Sequence, residues 1–362
     1  MPTSPAQPII DRCLEENFVA AGVVPARRSP TAAQFQEWLA EGRHGEMHWM
    51  AEHVDVRVDP RELVPGARSV IVVADRYDGS SDDNRPPGGG RIARYARGRD
   101  YHRYMKKRLH RVADALLADH PGEVFRACVD TAPILEREVA AAAGLGAIGK
   151  HTLLIEPAVG SWLLLGEIVT TLEVEPTGSD ERLDPCGTCT RCIEACPTDA
   201  ITPWSVDASR CVSYLTIEHR TRIDPAFHEG MGDWLFGCDL CQEACPHNQP
   251  TDRTASSSRE AQYEARSEGR DAAGASFDIR EVLDWTEEDR RRAFETSAMK
   301  RAKLGMMRRN AVIVAGNLAR GGGAPDLLDR LAQLAADPSE DELVRATARD
   351  VLAQLGDGAV ET

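Results

Sequence analysis

Eight of the ten cysteines in this chain fall between positions 186 and 245, and their spacing could do chemistry. The run Cys186-Gly187-Thr188-Cys189-Thr190-Arg191-Cys192-Ile193-Glu194-Ala195-Cys196-Pro197 has the C-x2-C-x2-C-x3-C-P pattern of bacterial ferredoxins. Three thiolates set two residues apart can wrap one iron–sulfur cube, while the fourth turns away to ligate its neighbour. The second set is Cys211, followed by Cys238, Cys241 and Cys245-Pro246. Crossover ligation then assigns Cys186, Cys189, Cys192 and Cys245 to one [4Fe–4S] cluster, and Cys196, Cys211, Cys238 and Cys241 to the other. Cys211 departs from the pattern, because it comes from a preceding segment. Zinc is the alternative metal. All-cysteine zinc sites draw their ligands from two well-separated pairs, and four cysteines within eleven residues do not fit that. A scaffold needs no pair of adjacent clusters, whereas an electron path does, so a redox protein is expected.

Two further groups invite a chemical reading. Asp130 follows a strand candidate and precedes Thr131-Ala132-Pro133 and a helix. It reads either as a helix N-cap, which favours the ionised carboxylate, or as a general acid, which needs a raised pKa. A strand end, where ligands gather in α/β sheets, favours function. The stretch Gly144-Leu145-Gly146-Ala147-Ile148-Gly149 matches G-x-G-x-x-G literally. A dinucleotide fold needs a strand before that turn and a helix after it. Here a helical pattern precedes and a strand pattern follows, so these glycines are expected to stop a helix and let backbone approach a ligand closely.

The elements that must position these groups fall into four regions. Residues 1–175 mix helix patterns at 31–42, 101–118 and 133–143 with strand patterns at 69–74, 124–129, 162–165 and 167–172. Residues 79–90 read as a mobile loop. Residues 176–250 hold the cysteines, 251–275 are a polar linker or insertion, and 276–362 are helical. In that last region Arg308, Ala311 and Leu318 recur as Arg345, Ala348 and Leu355, and Asp337-Pro338 marks a turn. This suggests a HEAT-like helical pair, with an ordinary bundle as the plainer alternative. The fold class is α+β: an N-terminal α/β domain, a ferredoxin-like two-cluster domain and a HEAT-like helical domain.

The chain of 362 residues carries a net charge of −15. Charge is uneven. Residues 91–110 hold eight Lys or Arg against Asp100, and residues 290–309 hold eight against Glu295. Each window is thus +7, leaving −29 on the rest of the chain. Separated basic patches on an acidic body suit a shaped polyanion, though each patch could be a solvated helix face. The N-terminus lacks the basic and apolar regions of a signal peptide, and no apolar run suggests a membrane span. A cytoplasmic monomer without membrane contact is expected.

Several stretches, in order along nearly the whole chain, resemble the epoxyqueuosine reductase family. They are Asp59-Pro60-Arg61-Glu62-Leu63-Val64-Pro65-Gly66-Ala67, Tyr95-Ala96-Arg97-Gly98-Arg99-Asp100-Tyr101-His102 and Val129-Asp130-Thr131-Ala132-Pro133-Ile134-Leu135-Glu136-Arg137. Gly144 through Leu154, Gly160-Ser161-Trp162, both cysteine sets, Arg309-Asn310-Ala311 and Gly316-Asn317 continue the series. The resemblance implies base-off cobalamin in an N-terminal reductase domain, fed with electrons by the clusters from an external low-potential donor. It implies reduction of the epoxyqueuosine epoxide in tRNA to an alkene, with Asp130 as the proton donor. By resemblance and nearness to the clusters, Arg57, Asp130, Lys150, His151, Ser161, Trp162, Ser213 and Asp239 are expected at the corrinoid. The tRNA would meet Lys300, Arg301, Lys303, Arg308 and Arg309. The cobalamin motif D-x-H-x-x-G is absent, since Asp100-Tyr101-His102 runs into Arg103-Tyr104-Met105, so no histidine ligand is indicated. The competing readings are a dehalogenase-like corrinoid reductase, which would typically carry a twin-arginine signal, and a ferredoxin-type electron carrier, which would leave the first 175 residues without a role.

Overall fold

The run Ser69-Val70-Ile71-Val72-Val73-Ala74 has no polar face to turn outward, so it requires cover on both sides. In the computed structural model, which describes residues 3–77, 86–157, 159–178, 184–249, 274–321 and 325–357, this run is the central strand β2 (Ser69–Arg76), buried throughout. The sheet runs β1 (Ala20–Pro25), β2, β7 (Leu163–Thr170), β4 (Phe125–Val129), and every neighbouring pair is antiparallel. Ile71 and Val73 face a core closed by helices Gln7–Glu15 and Tyr101–Asp119. Val70, Val72 and Ala74 face a second core that includes helix Glu136–Ala142. The strand-end rule borrowed from parallel sheets therefore does not apply to Asp130, which leaves an edge strand of an antiparallel sheet.

Other expectations shift for local reasons. The patterns at 162–165 and 167–172 are one strand. Gly166 sits inside it because a Cβ there would come 2.9 Å from Leu109 of the covering helix. The glycine run stops helix Glu136–Ala142 at Gly144, with φ +84°. A Cβ on Gly146 would meet the Ile155 carbonyl at 2.3 Å. The close approach is thus to the chain's own hairpin, β5 (Ala147–Ile148) with β6 (Leu154–Ile155), and not to a ligand.

Within 79–90, expected as a loop, Gly89 begins strand β3 (Gly89–Ile92), while 78–85 lie outside the described residues. So do 250–273, and with them most of the expected linker. After the short hairpin β8 (Ile201–Thr202) and β9 (Ser205–Val206), strand β10 (Trp234–Phe236) pairs parallel with β3. Strand β11 (Ser276–Asp278), in a region expected to be helical throughout, pairs antiparallel with β3 on its other edge. One sheet thus joins the first, second and fourth regions, over a core shared by Ile92, Phe236, Phe277 and Ile313.

Helices Leu304–Arg320 and Glu342–Asp357 carry the two copies of the repeat and pack on each other and on Pro325–Ala336. Asp337-Pro338 lies between the last two, as its composition indicated.

Arg309 corrects an expectation. It is fully buried, donating to the carbonyls of His219 (2.7 Å), Thr221 (2.7 Å) and Leu215 (2.8 Å) and to Asn310 Oδ1. Asn310 Nδ2 donates to Thr216 O and Leu235 O, and Asn317 Nδ2 to His228 O and Gly232 O. These residues lock the helix onto the cysteine-bearing segment, so Arg309 has no donor to offer a phosphate. Arg309→Ala would strand one buried and two part-buried carbonyls and leave Asn310 Oδ1 unpaired, and is expected to lower the unfolding free energy by about 3 kcal/mol, read from a denaturant melt.

Candidate active site and iron–sulfur centre

Cys186, Cys189, Cys192 and Cys245 line one cavity, together with His151 and His247. The crossover ligand set is therefore brought together by the fold: Cys245 of the second run closes the ring begun by the first. Cys196, Cys211, Cys238 and Cys241 form the other group. Burial raises the Cys211, Cys238 and Cys241 thiols, and neighbouring cysteines within the group raise them further. Cys241 also feels Cys192, so the two groups adjoin. Lys150 N–H donates to Cys186 Sγ at 3.3 Å and Ala200 N–H to Cys196 Sγ at 3.3 Å, contacts of the kind that tune a cluster's potential. The other two cysteines, Cys13 and Cys128, are buried thiols pushed up to about 12 by burial and stand apart from both groups.

The expected corrinoid residues distribute along the seam between the antiparallel sheet and this cysteine segment. Lys150 Nζ donates to Gly187 O (2.7 Å) and Cys189 O (3.0 Å), so it clamps the first cysteine loop. His151 accepts from Leu153 N–H at Nδ1, and burial lowers it to about 4. The ring is thus neutral, its proton sits on the buried Nε2, and that atom has no partner among the described residues. Ser161 Oγ donates to Gln242 Oε1 at 3.0 Å and accepts from Asn248 Nδ2 at 2.8 Å. Gly160 makes this docking possible, since a Cβ there would sit 2.3 Å from Asn248 Oδ1. Trp162 lies under the Arg94 guanidinium at 4.5 Å, and its buried Nε1 also lacks a partner among the described residues. Asp239 accepts from Arg94 N–H at 2.8 Å, and burial raises it to about 6. Ser213 presents its N–H to the Cys211 thiol.

Asp130 is linked through Tyr101 to Tyr95, whose partly buried ring packs against Tyr101 at 6.2 Å and Phe236 at 6.4 Å. The Asp130 side chain is 55% exposed, open enough to meet a substrate although protein atoms surround it on most sides. It caps nothing: helix Glu136–Ala142 starts six residues later with Leu135 at its N-cap. Tyr101 Oη donates to Asp130 Oδ2 at 2.9 Å, and His102 Nε2 lies 3.1 Å from the same oxygen.

Its protonation corrects the expectation of a raised pKa. Burial, the largest influence, raises Asp130, but the His102 hydrogen bond and charge, the Tyr101 hydroxyl and the Arg301 charge together hold it below the usual carboxylate range. His102 is pushed up to about 9: burial lowers it, and Asp100 and Asp130 more than compensate. Behind Asp130, burial holds Glu167 up to about 8, and burial and the Glu167 charge push Glu136 well above its ordinary value. Arg57 is also buried, its Nε without a partner among the described residues, within reach of the Glu136 and Asp130 charges.

Part of each basic window turns out to be internal. Arg91 and Arg94 pair with Glu243, Arg97 donates to Ile92 O, and Arg108 is buried against Asp75. Arg308 forks onto Glu340 at 2.7 Å and donates to Leu283 O, so it too leaves the expected tRNA set. What stays exposed is Arg99, Arg103, Lys106 and Lys107 in one window and Arg291, Arg292, Lys300, Arg301 and Lys303 in the other. These two groups converge, because Asp100 N–H donates to Thr296 O at 2.8 Å. Arg301 pairs with Glu218 and lies over Trp49, 39% exposed, which Arg57 also covers at 5.4 Å. Sequence reasoning missed Trp49, Tyr95 and the His102 contact. The only available signal was the Asp100-Tyr101-His102 run itself.

Residues 57–131 match the family model described as Epoxyqueuosine reductase QueG, DUF1730, and residues 185–248 that of a 4Fe-4S double cluster binding domain. An epoxyqueuosine reductase of Xanthomonas campestris pv. campestris is 40% identical over 363 residues, covering 98% of this chain and 97% of that protein. One of Pseudomonas aeruginosa is 37% identical over 325 residues, covering 87% and 86%. A solved epoxyqueuosine reductase with an epoxyqueuosine-modified tRNA-Tyr stem loop superposes with a TM-score of 0.82 at 24% identity, over 98% of this chain and 90% of that one. The Streptococcus thermophilus structure gives 0.79 at 23% identity, over 97% and 99%. These structures share the fold.

Proposed function

The chain belongs to the epoxyqueuosine reductase family, and from that premise we propose that it reduces the epoxide of epoxyqueuosine, at the wobble position of a tRNA anticodon, to the alkene of queuosine. The observation that carries this reading is the packing of Tyr95: its ring lies 6.2 Å from that of Tyr101, which donates to Asp130, and 6.4 Å from that of Phe236, two residues before Cys238, so acid and electron source would flank one crevice. Two [4Fe–4S] clusters would be held by the two groups of thiols, Cys186, Cys189, Cys192 and Cys245, and Cys196, Cys211, Cys238 and Cys241. An external low-potential donor would load them.

Base-off cobalamin is the remaining cofactor. The partnerless buried atoms Trp162 Nε1, His151 Nε2 and Arg57 Nε suit the polar rim of such a group along the seam, with Ser161, Ser213 and Asp239 shaping its surroundings. When bound, it supplies low-valent cobalt able to open an epoxide. Lys150 would act one step back, by fixing the first cysteine loop. Asp130 would deliver protons to the departing oxygen. The modified base must be splayed from its loop to reach the crevice, and the exposed cations at its mouth would hold the flanking phosphates.

Three of those cations are testable as a set. Charge reversal at Lys300, Arg301 and Lys303 should reduce the slope of log affinity for tRNA against log salt by about 2. An unchanged slope would make this patch a solvated face. No helix among the described residues is long and apolar enough to cross a membrane. Expression in bacteria lacking their own epoxyqueuosine reductase tests the function: tRNA should regain queuosine. Persistent epoxyqueuosine in cells where the protein is soluble and cluster-loaded would refute the reading.

A further inference from the structure

Reducing an epoxide to an alkene breaks two C–O bonds, forms one C=C bond, and consumes two electrons and two protons. Both protons end on one oxygen, which leaves as water. The first is needed when the ring opens and the second when the hydroxyl departs. In the reading above one carboxyl, Asp130, faces that oxygen, so it must be recharged between the two events. We propose that His102 is the group that recharges it, and that Asp100 holds His102 ready to do so. The inference rests on the proposed reaction.

The geometry is a three-residue relay. Asp100 caps helix Tyr101–Asp119, its Oδ1 accepting the His102 N–H at 3.1 Å, which fixes Tyr101 and His102 in the first turn. The same oxygen lies 2.8 Å from His102 Nδ1, and His102 Nε2 lies 3.1 Å from Asp130 Oδ2. The imidazole stacks on the Tyr101 ring at 4.0 Å, and the Tyr101 hydroxyl donates to Asp130 Oδ2. Asp130 Oδ2 is thus held by two donors, while Oδ1 has no partner among the described residues. A proton passed from Nε2 to Oδ2 reaches the crevice side by a half-turn of the carboxyl about Cβ–Cγ. His102 is left neutral with its proton on Nδ1, hydrogen-bonded to Asp100, and ready to take another from solvent at its 26% exposed ring.

The surrounding charges support storage on His102. Lys300 faces Asp100 and Arg301 faces Asp130, and both favour ionised carboxylates. Glu136, Glu167, Arg57 and Arg137 also feel the Asp130 charge. With His102 pushed up to about 9, the pair holds one proton across the neutral range.

The test is the pH profile of single-turnover reduction by the cluster- and cobalamin-loaded protein, with wild type compared against His102→Asn and Asp100→Asn. Wild type should lose activity only as the pH passes about 9, the His102 value. In His102→Asn the proton must sit on Asp130 itself, so the alkaline limb should move down by about two pH units or more. Asp100→Asn keeps a capping side chain and should move it part of the way. In the full-length, cluster-loaded chain, NMR of ring-labelled histidines should show one ring titrating near pH 9 that vanishes in His102→Asn. A His102→Asn limb in the wild-type position, or no ring titrating above pH 8, would overturn the relay. A separate control keeps the parent reading distinct: full turnover by Asp130→Asn would remove the acid assignment, whereas a dead Asp130→Asn with an unmoved His102→Asn limb removes only the relay.

Discussion

Asp130→Asn should lower single-turnover reduction of epoxyqueuosine by about 10²-fold or more, the range expected when a general acid is lost. Asn is isosteric, so Tyr101 and His102 can still donate to its amide oxygen, and fold, clusters and tRNA affinity should survive. Asp130→Ala should be equally inactive and no less stable from any lost cap, because Asp130 caps no helix. That separates chemistry from architecture: a helix-capping role would predict a stability loss of about 1 kcal/mol in the Ala variant and near-normal turnover in the Asn variant. Thermal melts beside rapid-quench turnover distinguish the two outcomes.

The second large effect concerns the crossed ligands. The loaded protein should contain about eight irons per chain. Cys245→Ala and Cys186→Ala, 59 positions apart in the chain but lining one cavity, should remove the same half of that iron and leave identical electron paramagnetic resonance signals. Cys241→Ala, only four residues from Cys245, should remove the other half, and so should Cys196→Ala from within the first run. Signals that sort by position in sequence, with Cys241→Ala matching Cys245→Ala, would contradict crossed ligation.

What was legible in the sequence was what local spacing dictates. A cubane's three thiolates must come from one tight turn, so the pattern shows in the chain. Strand β2 was legible because five apolar residues in a row, Val70 to Ala74, leave a run with no polar face. Strand β1, built of Ala, Gly and Pro beside two valines, has weak strand character and forms at the sheet edge. Strand β3 hid at the end of a glycine-rich segment because its partners lie more than a hundred residues away.

Charge misled for the same reason. Arg108 and Arg309 counted as surface cations until Asp75 and the carbonyls of residues 215–221 were seen to enclose them. Asp130 was found, but its ionisation depends on a histidine from another helix. Asp100-Tyr101-His102 was legible only as a failed cobalamin motif, since nothing local places that ring against Asp130.

The most direct measurement is anaerobic incubation of the cluster-loaded chain with epoxyqueuosine-containing tRNA, cobalamin and a strong reductant, followed by nucleoside mass spectrometry. The account predicts loss of one oxygen from the modified base, giving queuosine, only when clusters, cobalamin and reductant are all present. Unchanged epoxyqueuosine with clusters intact and cobalamin bound, or conversion that proceeds equally well without cobalamin, would contradict it.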